Sequence, residues 1–260
     1  MLLDGLDRTL LVVGLGAART VPLTMSIPAF GGPHLAAPIR FGLGLALAGL
    51  CYPLLFPQLP HGGDWLWALM VAREVVVGVV MGFVGSCAFR AAEISGQLTD
   101  LLRGANATDV LSFATADRTS PLGGLMLLLA VVVFYGIGGP GMVATALAQS
   151  YEAIPWAESV RCDGCAHTMV VMVIAASAKL VEASVGLCAP ALASLLLVDV
   201  TLGVVGRATR QMSLHLVGIP LRALLGISAV LVSLGALDLA LQKAFHGFFG
   251  LLVAASRLGR

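Results

Sequence analysis

Six acidic residues, Glu74, Glu93, Asp100, Glu182, Asp199 and Asp238, stand in or beside apolar stretches. A carboxylate in such a setting either serves a proton or ion path or is neutralised by a fixed partner. Arginines lie close to three of them: Arg73 next to Glu74, Arg90 before Glu93 and Arg103 after Asp100. Ion pairs that hold helices in register and a proton pathway are the two readings. The other reactive side chains are Cys51, Cys87, Cys162, Cys165 and Cys188, with His34, His61, His167, His215 and His246 scattered along the chain. Cys162-Asp163-Gly164-Cys165 has the CxxC spacing of redox and metal sites. No fourth zinc ligand stands near it, and Ala166 separates Cys165 from His167, which rules out a haem-attachment motif. A tight turn with incidental thiols, or a disulfide, remains. The chain has no phosphate-cradling glycine loop, no HExxH and no nucleophile elbow. Catalysis, metal binding and a cofactor are therefore not expected.

The elements that carry these residues are strongly hydrophobic. The 260 residues are 58% hydrophobic and 11% charged, with mean hydropathy +0.97; a soluble domain carries about 25% charged residues. Yet charges punctuate the apolar runs. Val75–Phe89, Gly164–Ala178, Ala183–Val198 and Ala223–Leu237 are short beside the roughly 20 residues that cross a bilayer core. Helices so punctuated are expected to pack against protein on several sides, as in a subunit of a larger membrane assembly. The net charge of +1 argues against nucleic-acid binding. All 15 basic residues except Lys179 and Lys243 are arginine. The start, Met1 to Arg8, carries acids where a secretory leader needs bases, so insertion is expected to rely on the mature apolar segments.

Prolines and glycines divide the chain. Pro22, Pro28, Gly31, Gly32, Pro33 and Pro38 predict broken helix and turns over residues 20–38. Residues 40–52 can be helical until Pro53, Pro57 and Pro60. Residues 65–102 are free of proline and would span about 57 Å as one helix, so this helix must bend or leave the bilayer. Within it Gly78, Gly82 and Gly85 form a small-residue stripe that either admits a close neighbour or is merely tolerated. Residues 103–121 are small and polar without periodicity, which predicts a long loop. Residues 119–151 carry no charge but are broken at Tyr135–Gly141, which predicts two half-length helices. In residues 168–198, Lys179 and Glu182 are three apart on one helical face, a spacing that allows them to pair, while Gly186 and Pro190 predict a bend or turn. Arg207–Arg210 is a polar turn, and residues 213–241 are again apolar, interrupted by Pro220 and Arg222.

Taken in order, these landmarks resemble the SctT family of type III secretion export-apparatus proteins, similar to flagellar FliR. The resemblance runs through Ile27-Pro28-Ala29-Phe30-Gly31-Gly32-Pro33, Pro38 and Arg40. It continues through Arg73-Glu74-Val75-Val76-Val77-Gly78, Gly82, and Ala92 to Asp100 with Gly96, then Gly104. Ser112-Phe113-Ala114-Thr115 and Ser120-Pro121 follow, then Gly138-Gly139, Ser150, Ile154-Pro155, Pro190, Val198-Asp199-Val200-Thr201-Leu202-Gly203 and Arg207. One departure stands out. The family's alanine-proline-glutamine turn is Ala208-Thr209-Arg210-Gln211 here, with only Gln211 cleanly retained. That marks a divergent injectisome member rather than a flagellar one.

The resemblance implies an all-α, membrane-associated subunit with broken helices and helical hairpins. Residues 1–165 would be a pore-ring part similar to FliP, and residues 166–260 a helical hairpin part similar to FliQ. It implies a non-enzymatic export-gate subunit in the bacterial inner membrane. One copy would join five FliP-like (SctR) and four FliQ-like (SctS) subunits, with SctU and SctV nearby, lipid around it and unfolded proteins in transit. It places a pore plug at about Ala105 to Pro121, hence at Asn106, Ser112, Phe113, Ala114, Thr115, Asp117 and Pro121. The matching positions Pro28, Phe30, Pro38, Arg40, Glu74, Gly78, Gly82, Gly96, Asp100, Pro190, Asp199, Gly203, Arg207 and Gln211 would be structural or interface residues. A secondary transporter or channel with broken helices is the first alternative reading, which a hydropathy repeat between the halves would favour, and none is clear; an intramembrane enzyme using the acids or the CxxC of Cys162 and Cys165 is the second.

Overall fold

The computed structural model describes residues 2–31, 36–55, 64–104, 120–154, 165–208 and 214–258. They form α1 (Leu2–Ser26), a 3-10 turn (Pro28–Phe30), α2 (Ala37–Leu55), α3 (Asp64–Leu102), α4 (Pro121–Gly136) and α5 (Gly139–Ala153). After these come α6 (Cys165–Ala208), α7 (Leu214–Val232) and α8 (Leu234–Leu258). There is no strand among the described residues. Among the described residues, three helices are long and apolar enough to cross a membrane, within Trp67–Leu102, His167–Arg207 and Leu234–Ala254; α4 and α5 together make a fourth candidate, bent by 72°.

Residues 65–102 form one continuous helix and residues 119–151 two half-length ones, as their proline and glycine spacing implies. Ser120 caps α4, accepting the Gly123 N–H at 3.0 Å, with Pro121 at the first helical position where its missing N–H costs nothing. At the break, Gly138 is left-handed at φ 73°, a conformation that glycine adopts without strain.

Other prolines do not act as stops. Pro22 lies inside α1, Pro190 inside α6 and Pro220 inside α7, and α2 runs past Pro53 to Leu55. The expected break before residue 26 and the turn at Gly186–Pro190 are therefore corrected: α6 is one helix of 44 residues, about 66 Å long. Proline removes one helical donor, whereas unwinding an apolar segment would expose many backbone groups where water is scarce. The charges between apolar runs likewise sit on long helices rather than ending short ones.

Two compact units share these helices. One comprises Met1–Phe89, Phe134–Lys179 and Phe245–Arg260, the other Arg90–Val133 and Leu180–Ala244. In the first, α2 runs antiparallel to α1: Thr20 Oγ1 donates to Gly44 O at 2.7 Å and Thr24 faces Arg40. On α3, Gly78 lies against the Arg19 backbone, Gly82 against Leu23 and Ser26, and Gly85 against Ile27. The constant offset makes α1 and α3 parallel, and the glycine stripe is where they approach. Below it Phe89, Phe134 and Phe245 meet edge-on or tilted, with centroids 4.9 to 5.4 Å apart. In the second unit α6 and α7 form an antiparallel hairpin, pairing Leu195 with Gly226 and Leu202 with Gly218.

A side chain at position 78 would collide with the Arg19 carbonyl. Gly78→Val is therefore expected to cost on the order of 1–3 kcal/mol or more, seen as a lower thermal midpoint of the detergent-extracted chain. Gly14→Ala, where a new methyl meets nothing, should leave the midpoint unchanged or raise it. Equal effects of the two substitutions would contradict the close approach of α1 and α3.

Candidate functional site

Arg19 is an isolated charge in the apolar run of α1, with no acid within a helical turn of it. Its side chain is wholly buried, and so is Glu74, 1% exposed, on α3. The pairing is bidentate: Arg19 Nε donates to Glu74 Oε2 at 2.6 Å and Nη2 to Oε1 at 2.9 Å. Nη1 donates to Ser150 Oγ at 3.0 Å, and Nη2 also reaches the Ile154 carbonyl at 3.4 Å. The guanidinium carbon sits 4.1 Å from the centre of the Tyr151 ring, a cation–π contact. Tyr151 in turn donates its hydroxyl to Gly16 O at 3.1 Å. One side chain thus binds α1, α3 and the end of α5. Both Glu74 oxygens face one guanidinium, so removing either partner would strand a buried charge. The geometry suits a permanent tie.

Arg73 stands next to Glu74 in the sequence, but both Glu74 oxygens are taken by Arg19. Neighbours in sequence point to different sides of a helix, so Glu74 meets Arg19 instead, 55 positions away. Sequence reasoning missed Arg19 as a site residue. The available signal was an arginine in an apolar run with no local counter-charge, which must find a distant one.

The second cluster stands at the end of α3. Asp100 is buried and accepts from Arg103 Nε at 2.7 Å, Ser120 Oγ at 2.5 Å and the Leu122 N–H at 2.9 Å. The Arg103 stem lies beside Gly226 of α7, and Gly96 lies under the Leu122 backbone, leaving no room for a side chain. One carboxylate therefore holds both flanks of residues 105–119. Gly104, at φ 75°, ends α3.

The remaining expected residues are dispersed. Arg90 pairs with Glu93 at 2.8 Å on an exposed face, and Asp199 pairs with Arg222 across the α6–α7 hairpin at 2.6 Å. Asp238 accepts from Gln242 on its own helix. Lys179 donates to the Gly247 carbonyl at 3.4 Å, and no ion pair joins it to the exposed Glu182, so the pairing their spacing allows does not form. Pro28 and Phe30 frame the 3-10 turn, whose Ala29 carbonyl accepts from Tyr135 Oη at 2.8 Å. Pro38, Pro121, Pro190, Gly203 and Arg207 are exposed and Arg40 is half-buried. Asn106, Ser112, Phe113, Ala114, Thr115, Asp117, Gln211, Cys162 and the side chain of Cys165 lie outside the described residues. Among the described residues no cluster of histidines, cysteines or acids could hold a metal ion.

The model of the family described as "Bacterial export proteins, family 1" matches residues 10–248. The chain belongs to this family. The motif resemblance running from Ile27 to Gln211 agrees with it. Among relatives of this export protein, "Secretion system apparatus protein SsaT" of Salmonella typhimurium is 26% identical over 231 residues, covering 87% of this chain and 88% of the relative. "Flagellar biosynthetic protein FliR" of Bacillus subtilis is 22% identical, covering 85% of each chain. "Yop proteins translocation protein T" of Yersinia pestis is 24% identical, covering 86% of this chain and 85% of the relative. The match spans both buried clusters of the export protein.

Removing one member of a buried pair costs about 3–5 kcal/mol, whereas replacing both by apolar groups is often neutral. Arg19→Met alone should therefore strongly deplete folded chain in the membrane, and Arg19→Met combined with Glu74→Leu should restore much of it. Quantitative blotting of membrane fractions and thermal midpoints, arranged as a double-mutant cycle, measure this. Additive losses would show that the two side chains do not act as one unit.

Proposed function

We propose that this chain is a non-enzymatic core subunit of a type III secretion export gate in the bacterial inner membrane. It helps form and seal the conduit through which unfolded proteins leave the cytoplasm. The observation that carries this reading is the family match over residues 10–248, joined by relatives named for secretion and flagellar biosynthesis that align over most of both chains. Its partners are FliP-like (SctR) and FliQ-like (SctS) subunits, with SctU and SctV as neighbours. Residues 1–165 belong with the pore ring and residues 166–260 with the FliQ-like subunits; the antiparallel α6–α7 hairpin supports the second assignment. Partners and the proton-motive force supply the energy, consistent with buried ion pairs whose oxygens are already engaged.

Residues 105–121 form the plug in this reading. Asp100 supports the assignment by anchoring both flanks of the segment to the end of α3. Few large apolar side chains occupy it, Leu111 and Phe113 being the largest, so its displacement would expose little apolar surface. The transporter alternative needs an open binding site at the helix break. The Phe134 ring packs against Gly139 there and Tyr135 bonds the Ala29 carbonyl, which argues against one.

Native mass spectrometry of the tagged chain, co-expressed with candidate partners and gently extracted, tests the assembly. One copy with five and four copies of two small hydrophobic proteins is the expected result, and a monomer or homodimer that ignores them would overturn the proposal. Deleting residues 106–118 should preserve that assembly but let small ions leak across the membrane. An ion-tight deletion strain would remove the plug assignment.

A further inference from the structure

We infer that the second unit holds a structural water between α3 and the step from α7 to α8. A small, partly open cavity there has room for about one water molecule. Its walls are apolar, with Leu122, Met126 and Leu187 among them, but Ser95, Thr99 and Ser233 line it too. A hydroxyl has one proton to donate and two lone pairs. All three protons are already committed to the preceding helical turn. Ser95 donates to Ala92 O at 2.7 Å, Thr99 to Ser95 O at 2.9 Å and Ser233 to Val230 O at 3.1 Å.

What remains at the cavity is three acceptors and no hydroxyl donor. Ser95 and Thr99 are almost fully buried, so bulk solvent does not serve their lone pairs. A ligand must therefore be small and must donate. Water fits both demands, donating two hydrogen bonds to hydroxyls of different helices. A metal cation would want more oxygens than three hydroxyls supply. A cavity lined by hydrocarbon alone would stay dry; polar partners are what make this one wet. Ser233 is also the residue at which α7 gives way to α8. The water ties that step to the same turn of α3 that carries Asp100.

X-ray radiolytic labelling tests this on the chain extracted together with its partners. Hydroxyl radicals form from waters in place, so a side chain touching a bound water is oxidised even when shielded from bulk solvent. Met126 lines the cavity and is 3% exposed, and Met81, 5% exposed, is the buried control. Met126 is expected to gain sulfoxide several-fold faster than Met81. The Ser95→Ala/Thr99→Val double variant, which removes two acceptors at nearly constant shape, is expected to bring Met126 down to the Met81 rate. Equal rates in the unaltered chain would overturn the inference, whether or not the variant folds. So would a Met126 rate that the double variant leaves unchanged.

Discussion

A guanidinium withdrawn from water must place its N–H groups on acceptors, and Arg19 does so by drawing three helices onto one side chain. Glu74 on α3 takes two of its donors, and Ser150 and Ile154 at the end of α5 take others. The register of α1 against α3 follows. Gly78 is bare because the Arg19 backbone occupies the place of its side chain, and Gly82 and Gly85 continue the same groove. The bend at Gly138 also falls into place. The 72° bend there turns α5 off the line of α4, and Ser150 and Tyr151 near the end of α5 meet Arg19. A break that resembles a weakness in the hydrophobic pattern thus serves the burial of one charge.

The second unit applies the same rule with less severity. Asp100 is buried and takes three donors, Arg103 just past the end of α3 and Ser120 and Leu122 at the start of α4. Asp199 and Arg222 pair across α6 and α7 while still partly exposed. Exposed pairs contribute about 0–1 kcal/mol, whereas breaking a buried one costs several. The rigid joints of the chain therefore lie at Arg19 and Asp100, and the hairpin is tied more loosely.

Local chemistry was legible in the sequence. The run Tyr135-Gly136-Ile137-Gly138-Gly139-Pro140-Gly141 marked the break between α4 and α5, and Arg90–Glu93 and Asp100–Arg103 paired at helical spacing as expected. What could not be read was which distant groups meet. Arg73 stood beside Glu74, but adjacency on a helix is not contact, and the true partner lay two helices earlier. Prolines misled for a different reason. Rules learned in water expect a break at Pro22 or Pro190, because water hydrates the freed carbonyl. In an apolar setting unwinding exposes more than it relieves, so both helices continue. The boundary between α7 and α8 at Ser233 carried no glycine or proline signal at the step itself.

Asp100 has a consequence for how this chain can vary. Its carboxylate grips the chain on either side of residues 105–119, so the two feet stand side by side whatever lies between them. Closing a longer flexible segment costs only about 0.6 kcal/mol per doubling of its length. Length and composition between the feet are then nearly free variables. Insertions and exchanges can accumulate there without moving the anchored ends of α3 and α4.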